Sequence, residues 1–182
     1  RRDVHRDGDL HASIHLWIVQ DDEHLVLQRR STLKDLADGK IDVSVGGHVA
    51  AGETWVDALR EADEELGLVL APRDVCLLGT HVTERHYDHA IDREWQTVLA
   101  TNASLPLDEC RLDPHEVTAV YLVRLDAALA LWRDGTPVAA RGRDAQGRPD
   151  VALLHEEDLP AQGREGVVQE LLWLEAWLRE GG

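Results

Sequence analysis

Residues 46–68 read GGHVAAGETWVDALREADEELGL, and the interpretation of the whole chain starts from this segment. Thr54 is a suitable N-cap and Gly67 a suitable stop, so the pattern predicts a helix over Trp55–Leu66. Viewed down that helix, apolar side chains occupy one side and four acidic side chains lie within an arc of about 100° on the other. The four are Asp57, Glu61, Glu64 and Glu65. Such a face is usually solvated, but carboxylates together with substrate phosphates also hold Mg²⁺.

The segment resembles the Nudix box, in which a glycine, five residues, a glutamate and seven further residues precede REUxEExGU, where U is a bulky aliphatic residue. Gly47 and Glu53 match the first two fixed positions, and Arg60–Leu68 supplies READEELGL. Ala62 replaces a bulky aliphatic residue, which is a mild change on a packed face. Only six residues separate Glu53 from Arg60. Either the helix begins one residue later, or a residue of the pattern is missing between Asp57 and Arg60.

The resemblance implies an α/β fold, a Nudix-type α/β/α sandwich with a mixed central sheet. It also implies a pyrophosphohydrolase that depends on Mg²⁺ or Mn²⁺ and cleaves a nucleoside diphosphate linked to another group. Glu61, Glu64 and Glu65 would then ligate the metal ions. A divalent ion neutralises a diphosphate and lowers the pKa of a water molecule that a carboxylate can deprotonate, so these residue types suit the reaction.

Further roles follow from the same resemblance. Arg60 would hold the loop and the helix together through an ion pair with Glu53, while Gly47 and Gly67 complete the structural positions of the box. Glu64 or Glu65 would lie nearest the attacking water. Glu94, outside the box, is a further candidate base.

Sequence before the box is similar to the Nudix subgroup related to isopentenyl-diphosphate isomerase. The matching stretches are HRDGDLHASIHLWIV at residues 5–19 and QRRSTLKDLADGKIDVSVGGH at residues 28–48. In that isomerase, three histidines and two acidic residues hold a metal, and the positions that match here are His5, His11, His48, Asp92 and Glu94. Imidazole and carboxylate ligands suit Mn²⁺ or Zn²⁺. The alternative is that these histidines cap strands or face solvent.

Arg30 and Lys34 match the isomerase residues that grip the diphosphate. A pair of cations is what an anionic ligand needs in an acidic protein. Ordinary surface charge is the other interpretation of these two side chains.

Two positions favour hydrolysis over isomerisation. The isomerase uses a cysteine just before its Gly-His pair, and Gly46 stands there, with no side chain to move a proton. The box of the isomerase is degraded, whereas Glu61, Glu64 and Glu65 are all present in this chain. An isomerase and a catalytically silent Nudix scaffold stay as the alternatives.

The rest of the chain mixes strands with a few helices, which favours one α/β sandwich domain over residues 1–182. A helix is predicted over Asp126–Arg133, and a closing helix over about Arg164–Arg179 is expected to pack on the domain. The polar stretch Ala140–Asp150 is predicted to be an exposed loop or a hairpin tip. Strands are predicted at Ser13–Gln20, His24–Gln28, Ile41–Val49, Val75–Thr83, Glu94–Thr101 and Val117–Val123.

The composition limits the kinds of molecule that the protein is expected to bind. The chain has 35 acidic and 19 basic residues and a formal net charge of −16, which disfavours a protein that binds the backbone of nucleic-acid polymers. Its apolar runs are too short to span a bilayer. Cys76 and Cys110 are expected to be free thiols in a reducing compartment, so we expect a cytoplasmic protein with a small-molecule diphosphate partner. Assembly into a homodimer is left open.

Overall fold

A mixed β-sheet organises the described part of the chain, which in this computed structural model comprises residues 8–33, 36–88 and 90–182. Its strands follow the order β5-β6-β1-β2-β7-β8-β9, while β3 pairs with β2 and β4 pairs with β1. The pairing of β1 with β6 is parallel and the other pairings are antiparallel. The strands are β1 Leu10–Gln20, β2 His24–Arg30, β3 Ile41–Asp42, β4 Val45–His48, β5 Cys76–Tyr87, β6 Ala90–Asn102, β7 Val117–Arg124, β8 Val138–Asp144 and β9 Pro149–Leu154.

Helices cover both faces of this sheet. The helices are α1 Arg60–Leu66, α2 Leu125–Asp134 and α3 Arg164–Arg179, and short 3₁₀ turns lie at Asp57–Leu59, Pro72–Asp74 and Glu156–Asp158. One apolar cluster joins Leu16 and Ile18 of β1 to Ala62 and Leu66 of α1. The cluster on the opposite face joins alternate residues of the strands to α2 and α3. The α/β/α sandwich with a mixed sheet is therefore confirmed.

Strand β1 has different neighbours along one of its edges. It pairs with β4 over Ser13–Leu16, but with β2 only at Val19 and Gln20, so the sheet forks between β4 and β2. Ser44 closes this fork, since its hydroxyl donates to the carbonyl of Val26 and accepts from the backbone N–H of Ile18. A buried backbone group without a partner is destabilising, so this one side chain takes the place of a ladder hydrogen bond.

Several predicted boundaries change. The predicted strand over residues 41–49 is two short strands, β3 and β4, and the predicted strand over residues 75–83 extends to Tyr87. Of the two interpretations of residues 140–150, the hairpin tip is correct, because β8 and β9 pair across it. The closing helix has the predicted bounds, and its buried Leu171 and Leu174 belong to the apolar cluster on that face. None of the helices in the described residues is long and apolar enough to cross a membrane.

The helix of the box begins later than predicted. Residues 57–59 form a 3₁₀ turn, and the α-helix starts at Arg60 rather than Trp55. The predicted N-cap is wrong, because the hydroxyl and the backbone N–H of Thr54 both donate to the Asp57 carboxylate, 2.8 Å away. A 3₁₀ helix has three residues per turn, whereas an α-helix has 3.6. The tighter turn suits a chain that has one residue fewer than the box pattern before Arg60.

The helix ends where the sequence predicts. Gly67 adopts the left-handed conformation with φ at 74°, and its N–H donates to the carbonyl of Asp63. A Cβ at this position would lie 2.9 Å from the Arg111 side chain. Both the backbone conformation and the space therefore favour glycine.

We predict that Gly67→Ala lowers the free energy of unfolding by about 1–2 kcal/mol, because a Cβ is unfavourable in the left-handed region. Gly67→Asn should lose less, since asparagine tolerates this conformation. Urea denaturation measures both variants. Gly46→Ala is the control, because a Cβ there meets nothing closer than Val43 at 3.9 Å. An equal loss in Gly46→Ala and Gly67→Ala contradicts the prediction.

Candidate functional site

A cavity of about 370 Å³ opens over the polar end of the sheet. Its wall combines residues of β1, β4, β5 and β6 with the start of α3. Its lining includes Ser13, His15, Arg30, Gly46, Gly47, His48, Arg85, Asp92 and Glu94.

Strand pairing places polar side chains on one face of the sheet beside this cavity. The parallel register sets His11 opposite Glu94 and Ser13 opposite Gln96, while β4 sets His48 opposite Ser13. Residues directly opposite on paired strands project to the same face. Three neighbouring strands, β6, β1 and β4, therefore carry Glu94, His11 and His48 to one place.

These three side chains form a compact group of possible metal ligands. The Nε2 atoms of His11 and His48 are 3.1 Å apart, and the rings stack with centroids 4.8 Å apart. The Oε1 atom of Glu94 lies 3.8 Å from Nε2 of His11 and 3.9 Å from Nε2 of His48. Among the His, Cys, Asp and Glu side chains of residues 8–33, 36–88 and 90–182, this group is a set of three whose ligand atoms all lie within 4.8 Å of one another.

Asp92 borders this group. Its Oδ1 atom lies 3.5 Å from Nε2 of His11. The carbonyl of Asp9 lies 3.0 Å from Nδ1 of His11, which directs the Nε2 atom of that ring towards the acidic residues. A histidine that ligates a metal commonly donates its other ring N–H to such an oxygen.

Arg85 forms ion pairs with both acidic residues of this region, Asp92 and Glu94. Its Nη1 atom lies 3.0 Å from Oε2 of Glu94 and 3.2 Å from Oδ2 of Asp92. Burial raises the pKa of Glu94, but the positive charge of Arg85 and the nearby histidines lowers it further, to about 2. The ionised carboxylate stabilises the fold at neutral pH, and this contribution is lost only as the pH falls from about 4.5 towards about 2.

The glutamates of the box have different surroundings in this structure. Glu61 accepts from Arg60 at 3.1 Å, Glu64 is exposed and lies 3.8 Å from Arg60, and Glu65 is buried and accepts from Gln28 at 3.3 Å. The metal ligation that the resemblance implies for these three residues stays a prediction. The arrangement at Arg60 does include the expected ion pair, since its Nη1 atom lies 3.0 Å from Oε2 of Glu53.

Glu61 nevertheless lies close to the cavity. A Cβ at Gly47 would lie 2.3 Å from Cγ of Glu61, so the absence of a side chain at Gly47 lets α1 approach β4 next to His48. Arg60 reaches the same strand, where its Nη2 atom donates to the His48 carbonyl at 3.5 Å. The box and the His–Glu group are thus adjacent parts of one region.

Arg30 lines the cavity, where it donates to Asp42 at 2.9 Å. Its Nε atom is buried and has no hydrogen-bond partner among the described residues, while the side chain places a positive charge at the cavity wall. His5 and Lys34, the other two residues predicted to act here, lie outside the described residues.

Sequence reasoning missed four residues of this region, His15, Arg85, Gln96 and Glu170. Three of them follow an alternation of polar residues along strands, as in His11-Ala12-Ser13-Ile14-His15 and in Asp92-Arg93-Glu94-Trp95-Gln96. Glu170 could have been noticed as an acidic residue on the apolar face of a helix, next to Leu171 and one turn from Leu174.

Comparisons with known proteins agree with this architecture. Residues 9–141 match the NUDIX domain family. An uncharacterised Nudix hydrolase of Clostridium acetobutylicum is 32% identical over 129 residues, which cover 69% of this chain and 63% of that protein. Nudix hydrolase 3 of Arabidopsis thaliana is 39% identical over 132 residues, which cover 68% of this chain and 17% of that protein. The chain thus spans less than two thirds of the length of either relative.

Among solved structures, the MutT protein from Methanosarcina mazei Go1 superposes with a TM-score of 0.60 at 20% sequence identity. The superposition covers 94% of this chain and 95% of that one. At this level of identity the similarity shows a common fold. The match over residues 9–141 establishes that the chain belongs to the NUDIX domain family.

We predict that Arg85→Met raises the pKa of Glu94 by about one to three units, because it removes the nearest positive charge. A ¹³C NMR pH titration of the side-chain carboxylates in metal-free protein measures the change. Arg93→Met is the matched control, since Arg93 lies on β6 but pairs with exposed Glu84 at 2.9 Å. A value still near 2 in folded Arg85→Met contradicts this account of the site.

Proposed function

We propose that the protein is a divalent-metal-dependent hydrolase that cleaves the diphosphate linkage of a small nucleoside-diphosphate-type substrate. The observation that carries the proposal is the grouping of His11, His48 and Glu94 beside a cavity lined by Arg30, in a chain of the NUDIX domain family. A cavity of about 370 Å³ is of the size that proteins use for small molecules.

The donor atoms fit a divalent metal ion. Two imidazole nitrogens and a carboxylate oxygen suit Mn²⁺ or Zn²⁺, whereas Mg²⁺ prefers oxygen ligands such as those of Glu61, Glu64 and Glu65. We therefore assign Mg²⁺ or Mn²⁺ to the box glutamates and a second ion to the histidine group, with Asp92 beside it. A bound divalent ion supplies positive charge against the diphosphate and acidifies a water molecule.

Residues of the chain itself bind the substrate and move the proton. Arg30 places a positive charge at the cavity wall against the phosphates, and Arg85 keeps Glu94 ionised at neutral pH. Glu64 is accessible enough to take the proton of the attacking water, as its side chain is 59% exposed. Glu65 and Glu94 are the other candidate acceptors of this proton.

The cavity wall disfavours an isomerase. Gly46 occupies the position where the isomerase has a cysteine, and neither Cys76 nor Cys110 lines the cavity. Burial raises the pKa of Cys110 to about 11, which keeps this thiol protonated at neutral pH. No described thiol is therefore placed to move a proton on a substrate in this cavity.

We expect Glu64→Gln or Glu65→Gln to lower the turnover number by at least about a hundredfold, because an amide neither accepts a proton nor ligates a hard cation well. The assay separates substrate from products by ion-exchange chromatography, with Mg²⁺ or Mn²⁺ and with nucleoside di- and triphosphates, sugar nucleotides and dinucleotides, because cleavage of a diphosphate between two organic groups leaves two phosphomonoesters and no free phosphate. Glu175→Gln is the matched control, since Glu175 pairs with Arg179 on the outside of α3.

The same assay, extended to isopentenyl diphosphate, tests the alternatives. Full activity in either box variant contradicts the assignment of the box glutamates. Isomerisation of isopentenyl diphosphate with its diphosphate intact contradicts hydrolysis. Turnover of none of the compounds, with metal binding intact, favours a silent scaffold.

We predict that the wild-type protein binds Mn²⁺ and that His48→Ala and Glu94→Gln each weaken this binding by at least about tenfold, because each removes one donor atom. Isothermal titration calorimetry in chelator-treated protein measures the affinity. His86→Ala is the control, since this exposed histidine contacts Glu84 away from the group. Equal affinity in His48→Ala and wild type rules out the histidine group as a metal site.

A further inference from the structure

A second set of buried polar residues lies directly behind the proposed metal group. Glu170 of α3 is fully buried, at 0% exposure, and faces the sheet. Its carboxylate accepts from Nδ1 of His15 at 2.9 Å, from Nε1 of Trp17 at 2.9 Å and from Nε2 of His81 at 2.7 Å. Burial raises the pKa of Glu170, but His15 and the hydrogen bonds lower it further, to about 2, so the residue is ionised.

A chain of hydrogen bonds joins this carboxylate to Glu94. The Nε2 atom of His15 lies 2.9 Å from Nε2 of Gln96. The same amide nitrogen donates to Oε2 of Glu94 at 2.8 Å. The order of contacts is therefore Glu170, His15, Gln96, Glu94, and it runs from α3 across β1 to β6.

With a neutral His15 ring, only one arrangement of protons satisfies these contacts. The ring nitrogen Nδ1 of His15 faces a carboxylate, so it carries the proton, and Nε2 is left as the acceptor. Gln96 must then present its NH₂ group, with one proton to His15 and the other to Glu94. The reversed amide would place the carbonyl of Gln96 against two acceptors.

The direction of Glu94 follows from this arrangement. Gln96 and Arg85 both donate to Oε2, at 2.8 and 3.0 Å. The other oxygen, Oε1, is thereby turned to His11 and His48. Partners of this kind, one step removed from the ligand atoms, commonly control how well a metal binds.

A buried carboxylate seldom increases the free energy of unfolding of a protein. Removing a charge from water is unfavourable, and apolar side chains of similar volume often stabilise a core as well or better. The neighbours of Glu170 on the buried face of α3, such as Leu171 and Leu174, are apolar. An acidic residue at this position therefore calls for a role beyond packing.

We propose that Glu170 is a positioning residue for the metal group: by fixing the Nδ1–H form of His15, it orients Gln96 and so aims Oε1 of Glu94 at His11 and His48. This inference rests on the proposed function, because the consequence of the orientation is metal affinity. It assigns to α3, a helix without a motif, control of a site on the face of the sheet that this helix covers.

The test is Glu170→Leu, which removes the acceptor and keeps an apolar side chain in the core. ¹⁵N NMR of the histidine rings in metal-free protein should show the proton of His15 leaving Nδ1, and the side-chain amide resonances of Gln96 should shift with it. Titration calorimetry should show Mn²⁺ affinity lower by at least about tenfold. Leu171→Ala is the matched control, since it disturbs the same buried face without touching the chain of contacts and should bind Mn²⁺ like the wild type.

Gln96→Leu cuts the same chain at its centre and should weaken Mn²⁺ binding to the same extent. The double variant Glu170→Leu/Gln96→Leu should lose no more than either single variant, because both act through one chain. If Glu170→Leu does not fold, Gln96→Leu alone decides the inference through the Mn²⁺ affinity.

Unchanged affinity in folded Glu170→Leu, or in Gln96→Leu, overturns the inference, as does equal weakening in Leu171→Ala. Failure of the proposed metal site looks different, since His48→Ala and the wild-type protein then bind Mn²⁺ equally. In that case the resonances of His15 and Gln96 still show whether Glu170 orients the amide, and unshifted resonances in Glu170→Leu overturn that step.

Discussion

The parallel register of β1 against β6 is the constraint from which the site follows. It runs from Leu10 opposite Arg93 to Val19 opposite Asn102. A shift of one residue would move every side chain of β1 to the other face of the sheet, and His11 would no longer stand beside Glu94. Two parallel strands also need a long connection, and the chain between them contains the box helix and β4, which supplies His48.

Buried charges in this acidic protein are balanced locally. Arg85 contacts both Asp92 and Glu94, and the Glu170 carboxylate accepts from two histidines and a tryptophan. A buried charge without such partners would be strongly destabilising. The polar end of the sheet therefore tolerates several ionised groups within a small volume, as a site for an anionic ligand and cations requires.

The sequence predicts the fold better than it predicts the site. The box identifies the family, and alternation places the main strands, because both depend on local pattern. Helix α1 begins later than predicted, because a capping residue such as Thr54 can bond to a side chain instead of to the helix. The resemblance to one Nudix subgroup points to His11, His48 and Glu94 as metal ligands. The fold brings these three side chains together, and their binding of a metal stays a prediction.

Arg85, Gln96 and Glu170 escaped prediction because their partners are distant in the chain or depend on strand register. Glu170 contacts His15 across 155 positions of sequence, and no local pattern carries that information. Likewise, the helical wheel places Glu61, Glu64 and Glu65 near one another, but it does not reveal that Arg60 and Gln28 bind them. Pairing between elements decides these features.

The fork in the sheet has a consequence for the placement of His48. Strand β2 pairs with β1 only at Val19 and Gln20, so the rest of that edge of β1 is available to β4, and the junction depends on the hydroxyl of Ser44. This hydroxyl replaces part of a backbone ladder. The location of β4, and with it that of a proposed metal ligand, therefore depends on a small polar residue that does not line the cavity.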